Sequence, residues 1–440
     1  MHKDDDIREC DVLVIGGGMA GLSASIRARD FTEKVILVEK AKVTRSGGSV
    51  HAHAYGAPAP EGEFDARLRE LVQRSAYLGD QAWFEILLRE IGDRLNDMAT
   101  WGVRFERDSA GNLKGDAIKG QSKGSVILAP GKHVMETIAK EALRKGVQFV
   151  ERVAVTELLT SDGGYPTRGH VVGAVGIHAR TGQFVVFKAK AVVIATGLVG
   201  AKIHRFAMDN VTGDGYAMAF RAGADITGLE FGPQPFCIWN GKFDGSGVGQ
   251  FQHGGGRLIN RLGEEFLYKY DGASREFIGF DGHFDQGALC RAIAVENIEG
   301  RGPCYIDCRG WSKEKMDKMR KVLPLTMMAF DEPGVGVDLT KEPVETTPMV
   351  GHYGTSCQSG IRINTAGETA VGGLHAAGAA AHYGGGPSPQ ALGAVGGYRA
   401  GENAARWARE LEGAGEFSAQ IGALKEAVFK PLGRKEGLRP

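Results

Sequence analysis

Gly16, Gly18 and Gly21 stand in a Gly-x-Gly-x-x-Gly spacing directly behind the apolar run Asp11-Val12-Leu13-Val14-Ile15. That spacing can seat a pyrophosphate. The first glycine permits a tight turn, the second lets the backbone approach the phosphates, and the third lets a helix pack closely on a strand. Met19 and Ala20 open that helix, and its first N–H groups offer a partial positive charge to the same anion. Glu39 ends the next apolar run, where its carboxylate can accept hydrogen bonds from a ribose hydroxyl. A second strand-to-glycine junction falls at Ala195-Thr196-Gly197, and a third at Gly372-Gly373-Leu374-His375-Ala376-Ala377-Gly378-Ala379-Ala380. Proton handling near neutral pH falls most naturally to histidine. His51 and His53 share the loop after Arg45-Ser46, where their spacing puts them on opposite faces if the segment is extended. His352-Tyr353 and His382-Tyr383 lie beside glycine-rich turns, and Arg291 sits on a predicted helix that could present a cation.

These groups need elements to hold them. A strand over 11–15, a helix from 19 to about 30 and a strand over 34–39 form a βαβ unit. A glycine- and histidine-bearing loop runs from about 44 to 60, and helices are expected over 65–77, 81–100 and 133–145. Strands are expected over 149–159, 171–179, 183–188 and 191–196. From about 232 to 343 aromatic and charged residues replace long apolar strands, which reads as an inserted domain. Glycine-rich αβ character returns near 349, and a last helix with a basic tail is expected beyond Glu410. The expected class is α/β (α+β overall). A Rossmann-like nucleotide-binding domain is divided between residues 1–231 and 346–412, with a capping domain at 232–345 and a C-terminal helix and tail at 413–440.

The gross numbers suit that plan. The chain has 440 residues, with 42% hydrophobic and 24% charged content, an ordinary globular profile. Sixty-six glycines are about twice the usual share, which points to many tight turns and close backbone approaches. Fifty-three basic and 53 acidic side chains cancel, so bulk charge predicts no nucleic-acid or membrane-surface partner. The acidic start Met1-His2-Lys3-Asp4-Asp5-Asp6 reads as neither signal peptide nor membrane span, and a cytoplasmic protein is expected. Six scattered cysteines match no zinc or iron–sulfur framework and read as reduced thiols.

Both NAD and FAD use the glycine fingerprint. The position of the motif at the extreme N-terminus, the Ala-Thr-Gly junction and the late strand-turn near Gly378 favour FAD. An NAD(P)-dependent dehydrogenase is the weaker alternative. Over residues 7–410 the chain resembles the flavoprotein subunits of succinate dehydrogenase, fumarate reductase, L-aspartate oxidase and adenylylsulfate reductase. The resemblance rests on residues 14–21, on Glu39-Lys40-Ala41 with Arg45-Ser46-Gly47-Gly48, and on Ala195-Thr196-Gly197. Further carriers are Thr212-Gly213-Asp214-Gly215-Tyr216, Arg221-Ala222-Gly223-Ala224, Leu258-Ile259-Asn260 with Gly263-Glu264-Glu265-Phe266, Glu299-Gly300-Arg301-Gly302-Pro303, and residues 373–378.

The resemblance implies FAD seated by Gly16, Gly18, Met19, Ala20, Gly21, Glu39, Lys40, Ser46, Gly47, Gly48, Thr196, Gly197, Asp214, Gly378, Ala379, Gln390 and Ala391. Some members attach FAD through a histidine after Arg-Ser; here Gly47 holds that position, so non-covalent FAD is expected. The family's glutamate after Ala-Gly is Ala379 here. Its proton-donating arginine falls at or near Gln286, and its second substrate arginine falls within Gly384-Gly385-Gly386-Pro387-Ser388. Without that guanidinium fork a dicarboxylate has no bidentate clamp. The reading is therefore an FAD-dependent oxidoreductase for a small non-dicarboxylate substrate, with His51, His53, His352 and Arg291 as catalytic candidates. The resemblance implies an iron–sulfur, ferredoxin-type partner protein. The alternative is a non-catalytic flavin subunit that relays electrons.

Overall fold

Two uninterrupted apolar strands set the centre of the molecule. In a computed structural model of the chain, β1 (Asp6–Ile15) and β6 (Phe184–Ile194) lie side by side and parallel, in register from Asp6 against Val185 to Ile15 against Ile194. Val12, Leu13 and Val14 and their partners Ala191, Val192 and Val193 have essentially no exposed surface. Strands buried on both faces carry continuous apolar runs rather than alternation. The structure describes residues 5–45, 47–52, 54–75, 77–116, 126–199, 211–230, 237–239, 251, 255–271, 286–322, 324–334, 336–348, 359–385, 388–412 and 418–433.

The mixed α/β chain builds a seven-stranded sheet around that pair. Its other members are β2 (Val35–Glu39), β3 (Gln148–Glu151), β4 (Val153–Thr160), β5 (Val171–His178) and β7 (Leu374–Ala376). The path runs β3-β2-β1-β6-β5-β4. Strand β6 is long enough to pair twice along one edge. Its first half is antiparallel to β5, and its last residues, Val192–Ile194, are parallel to Leu374–Ala376 of β7. Thus a strand from late in the chain pairs with β6 and ends at the same edge of the sheet as β1 and β6.

Two sequence expectations change here. The single strand expected over 149–159 is two strands, because Arg152 takes a left-handed φ of 62° and sends the chain from β2 to β5. The strands expected over 183–188 and 191–196 are one, since the pairing of β6 with β1 continues through that stretch. The helix expected over 81–100 has those bounds, Gln81–Thr100, with the Asp80 carboxylate accepting from the N–H groups of Ala82 and Trp83.

Helix α1 (Met19–Ala28) follows β1, α2 (Asp214–Ala222) follows the β6 junction, and α3 (Pro389–Glu410) follows β7. Helices α1 and α3 touch along a stripe of Gly393, Gly397 and Gly401, spaced one turn apart. A Cβ on Gly397 would lie 2.3 Å from Ala20 O, and one on Gly401 2.1 Å from Ala24 O. Their absence lets the two backbones approach one another.

A separate antiparallel sheet pairs Cys237–Trp239, Val344–Pro348, Cys304–Asp307 and Arg257–Ile259, in that order. It has its own apolar cluster, built on Phe251, Phe266, Ile293, Ile306 and Phe330. Cys304 and Cys308 are buried within it as free thiols, pushed up to about 12 by burial. The last helix, Ser418–Phe429, covers β4 and β5 with Ile421, Leu424 and Val428. No helix among the described residues is long and apolar enough to cross a membrane.

His375, on β7, is buried inside the main core. Burial pushes its imidazole down to about 4, against an opposing pull from Glu368. Between about pH 6.5 and 4 the unfolded chain binds a proton there that the folded chain refuses, so stability falls as the pH falls through that window. The shift corresponds to about 3 kcal/mol. Urea unfolding of the His375→Phe variant at pH 7 and at pH 4.5 is expected to lose about that much of the wild type's pH dependence; equal slopes against pH would refute it.

Candidate active site

The carboxyl ends of β1, β2 and β6 open onto one cleft, as expected for parallel strands at a point where the connections diverge. Ile15 through Ala20, Val38 through Lys40, Gly47 through Ser49 and Ala195 through Leu198 line it. Val153–Val155, residues 211–214, Gly378, Ala379, Pro389, Gln390 and Gly393 complete the wall.

The glycine turn is built by exclusion. Gly16 has a φ of +110°, and a Cβ there would stand 2.3 Å from Ala195 O. Its N–H donates to Val38 O at 2.8 Å, tying the turn to β2. Gly21 is in the first turn of α1, and a Cβ there would stand 1.8 Å from Gly16 O. Gly18 caps α1 without a side-chain hydrogen bond, so the first turn of the helix presents backbone amides to the cleft.

Glu39 is buried, and its carboxylate accepts from Gly17 N–H at 2.7 Å and Ala41 N–H at 3.0 Å. It both braces the glycine turn and faces the cleft. Ser49 was not anticipated: its hydroxyl accepts the Met19 N–H at 3.1 Å, from thirty residues away. The only sequence signal was a hydroxyl beside the Gly47-Gly48 pair. The Gly131–Arg144 helix pins this loop, since the Gly131 N–H donates to Ala52 O at 2.7 Å.

At the far wall Lys40 Nζ donates to Thr212 Oγ1 at 2.8 Å and pairs with Asp214 at 3.4 Å. Both partners are partly exposed, so the pair contributes about 0–1 kcal/mol; its consequence is to link the β2 and α2 sides of the cleft. Gly213 adopts a left-handed φ of 79° to start α2, and a Cβ on Gly215 would stand 2.1 Å from Thr196 Oγ1. Gln390 stands in the first turn of α3, and its buried Oε1 has no hydrogen-bond partner among the described residues.

Of the residues expected to seat a cofactor, Gly16, Gly18, Met19, Ala20, Glu39, Lys40, Gly47, Gly48, Thr196, Gly197, Asp214, Gly378, Ala379 and Gln390 line this one cleft. Gly21 stands behind the turn as a packing contact. Ala391 is not on the wall: it is fully buried, and its N–H is capped by the Ser388 hydroxyl at 3.4 Å. One residue later than Gln390 on a helix, the side chain points about 100° away. Ser46, His53 and His352 lie outside the described residues. His51 belongs to the short turn Gly48–His51, half-buried and lowered by that burial, beside but not on the cleft wall. Arg291 is exposed on the Gln286–Ile298 helix and is also not on that wall.

A family model described as an FAD binding domain matches residues 11–394. The chain belongs to this FAD-binding family. Within it, the flavoprotein is similar to one subunit of the CoM/CoB fumarate reductase of Methanothermobacter marburgensis, with 29% identity over 400 residues, 85% of this chain and 68% of that protein. A mutant E. coli quinol fumarate reductase FrdA chain superposes with a TM-score of 0.84 at 25% identity, covering 99% of this chain and 76% of the other. Adenylylsulfate reductase of Archaeoglobus fulgidus shares the fold, with a TM-score of 0.77 at 22% identity over 97% of this chain and 74% of that one. The flavoprotein spans 68% of the first of these relatives and 61% of the succinate dehydrogenase flavoprotein of Rickettsia conorii. These are oxidoreductases of the succinate dehydrogenase and fumarate reductase family, and the flavoprotein is one of that family.

Proposed function

We propose that this flavoprotein is an FAD-dependent dehydrogenase or reductase that passes electrons between a small non-dicarboxylate substrate and an iron–sulfur partner protein. The observation that carries the reading is the glycine-cradled cleft ending at the unpartnered Gln390 oxygen. The residues fit the cofactor. Gly16 and Gly21 let β1, β6 and α1 close on one another so that the turn holds its shape beneath the cleft, the α1 amides suit a pyrophosphate, and Glu39 and Gln390 offer acceptors. FAD, when bound, supplies two-electron chemistry with the substrate and single electrons to a carrier.

The chain's own groups then divide the work. Gly16–Gly21, Glu39 and Ser49 hold the ADP half, and Lys40, Asp214, Gly378, Ala379 and Gln390 enclose the remainder. His51, His53 and His352 are the proposed proton carriers. Arg291 is the proposed cation from the segment 232–345, which acts as a cap on a binding domain formed by residues 1–231 and 346–412. Gln286 and residues 384–388 stand where the family's arginines fall, which supports a substrate other than a dicarboxylate. A partner is supported by the Methanothermobacter relative, which is itself one component of a multi-subunit reductase.

The intact protein is expected to be yellow and to release its FAD into the supernatant on acid precipitation, because Gly47 offers no side chain for attachment. FAD left in the pellet would overturn the non-covalent reading. Anaerobic bleaching of the flavin is expected with a substrate from a panel of small organic and sulfur-oxyanion donors. Bleaching only by a reduced ferredoxin would favour the relay alternative.

A further inference from the structure

The turn Gly378–Ala380, which brings Gly378 and Ala379 to the cleft, is held by two buried tyrosines from opposite sides. Gly378 takes a left-handed φ of 66° and donates its N–H to Tyr383 Oη at 3.0 Å. Tyr216 Oη donates toward Ala379 O and Ser359 O, each at 3.2 Å. Tyr383 has no exposed surface, and its ring meets Trp83 edge-on with centroids 4.7 Å apart. Its hydroxyl occupies the space left by Gly396 on α3, where a Cβ would stand 2.2 Å from that oxygen. The strap beyond it is fixed too: Asp80 N–H donates to Tyr383 O at 3.4 Å, and a Cβ on Gly384 would stand 2.5 Å from Asp80 N.

We propose that Tyr383, seated by Gly396, is a positioning residue that holds the Gly378 turn for the flavin half of the cofactor. This rests on the reading that FAD lies in the cleft with its ADP half on Gly16–Glu39. A tyrosine needs both features at once here: a ring locked by Trp83 and, in a left-handed turn, a hydroxyl reaching a backbone N–H that has no other partner among the described residues. Removing the hydroxyl frees the turn at one end while Tyr216 still holds the other.

The test is a double-mutant cycle on the full chain, titrating FAD and, separately, ADP. Tyr383→Phe is expected to weaken FAD about tenfold, the scale of one buried hydrogen bond, with ADP affinity unchanged. Gly396→Ala displaces the same hydroxyl from the other side and is expected to weaken FAD to a similar degree. The double variant is expected to match either single one, because the methyl group no longer meets an oxygen. The proposal is overturned if Tyr383→Phe leaves FAD affinity unchanged, if FAD and ADP weaken together, or if the two substitutions multiply to about a hundredfold. Should Tyr383→Phe fail to fold, Gly396→Ala alone decides between FAD-selective weakening and none. A wild-type protein that binds no FAD would instead overturn the underlying reading.

Discussion

The Gly21→Val variant is expected to be purified colourless. A Cβ at Gly21 falls 1.8 Å from Gly16 O, deep inside contact distance, and valine adds two methyl groups beyond it. Gly16 cannot move aside. Its φ of +110° is fixed by the N–H bond to Val38 O, and a Cβ on it would stand 2.3 Å from Ala195 O, so it is already packed against β6. Strand β1, strand β6 and the first turn of α1 therefore meet at one point, and widening it displaces the amides that face the phosphates. Overpacking of this kind costs about 1–3 kcal/mol, and forced backbone strain about as much again. Together these put FAD affinity down by at least about two orders of magnitude. The ratio of flavin to protein absorbance after purification, followed by FAD titration, measures it. Gly422→Val is the matched control. It stands on the Ser418–Phe429 helix away from the cleft, and its Cβ would meet nothing within 4 Å. If Gly21→Val holds FAD as tightly as Gly422→Val, the interlocked turn is not what seats the cofactor.

The difference between those two glycines also marks what the sequence could convey. The Gly16–Gly21 turn was legible because spacing, the apolar run before it and the helix after it all point the same way. The Gln81–Thr100 helix was legible in the same manner, since Asp80 supplies a local cap and Trp83, Phe84, Leu87, Leu88, Ile91 and Leu95 a consistent buried face. Arg152 was not legible: a left-handed arginine carries no turn residue to announce it, and only the switch of partner from β2 to β5 makes it necessary. Ser49 and Tyr383 were missed as contacts for a related reason. Each acts on an amide that the chain brings close only after folding, Met19 thirty residues away from Ser49 and Gly378 across a turn whose depth is set by Gly396. Ala391 follows Gln390 by a single residue, which on a helix is a rotation from the cleft wall to the core.

The second large effect is expected far from that cleft, at Glu296. Its side chain has no exposed surface, an arrangement that costs heavily unless every lone pair is met. Here they are met. Asn260 Nδ2 donates at 2.9 Å, Arg301 donates through Nε at 2.9 Å and Nη2 at 3.0 Å, and the Tyr270 hydroxyl donates at 2.5 Å. Burial pushes the carboxyl up, but the hydrogen bonds from Arg301, Tyr270 and Asn260 outweigh it and hold Glu296 at about 2. With the folded value below the unfolded one, its contribution is complete above about pH 4.5 and is lost as the pH falls toward 2. Glu296→Ala removes the shared acceptor of Asn260, Tyr270 and Arg301, while Arg301 keeps its pair with Glu299 and Asn260 its bond to Glu264, so it is expected to cost about 1–3 kcal/mol at pH 7. Urea unfolding at pH 7 and pH 3 measures both the loss and its narrowing in acid. Because Glu296 stands on the Gln286–Ile298 helix, which packs on the sheet of residues 237–348, and not in the cluster around β1 and β6, folded Glu296→Ala protein is expected to stay yellow. A variant that unfolds like the wild type, or one that loses FAD while still folded, would show that the two cores are not divided in this way.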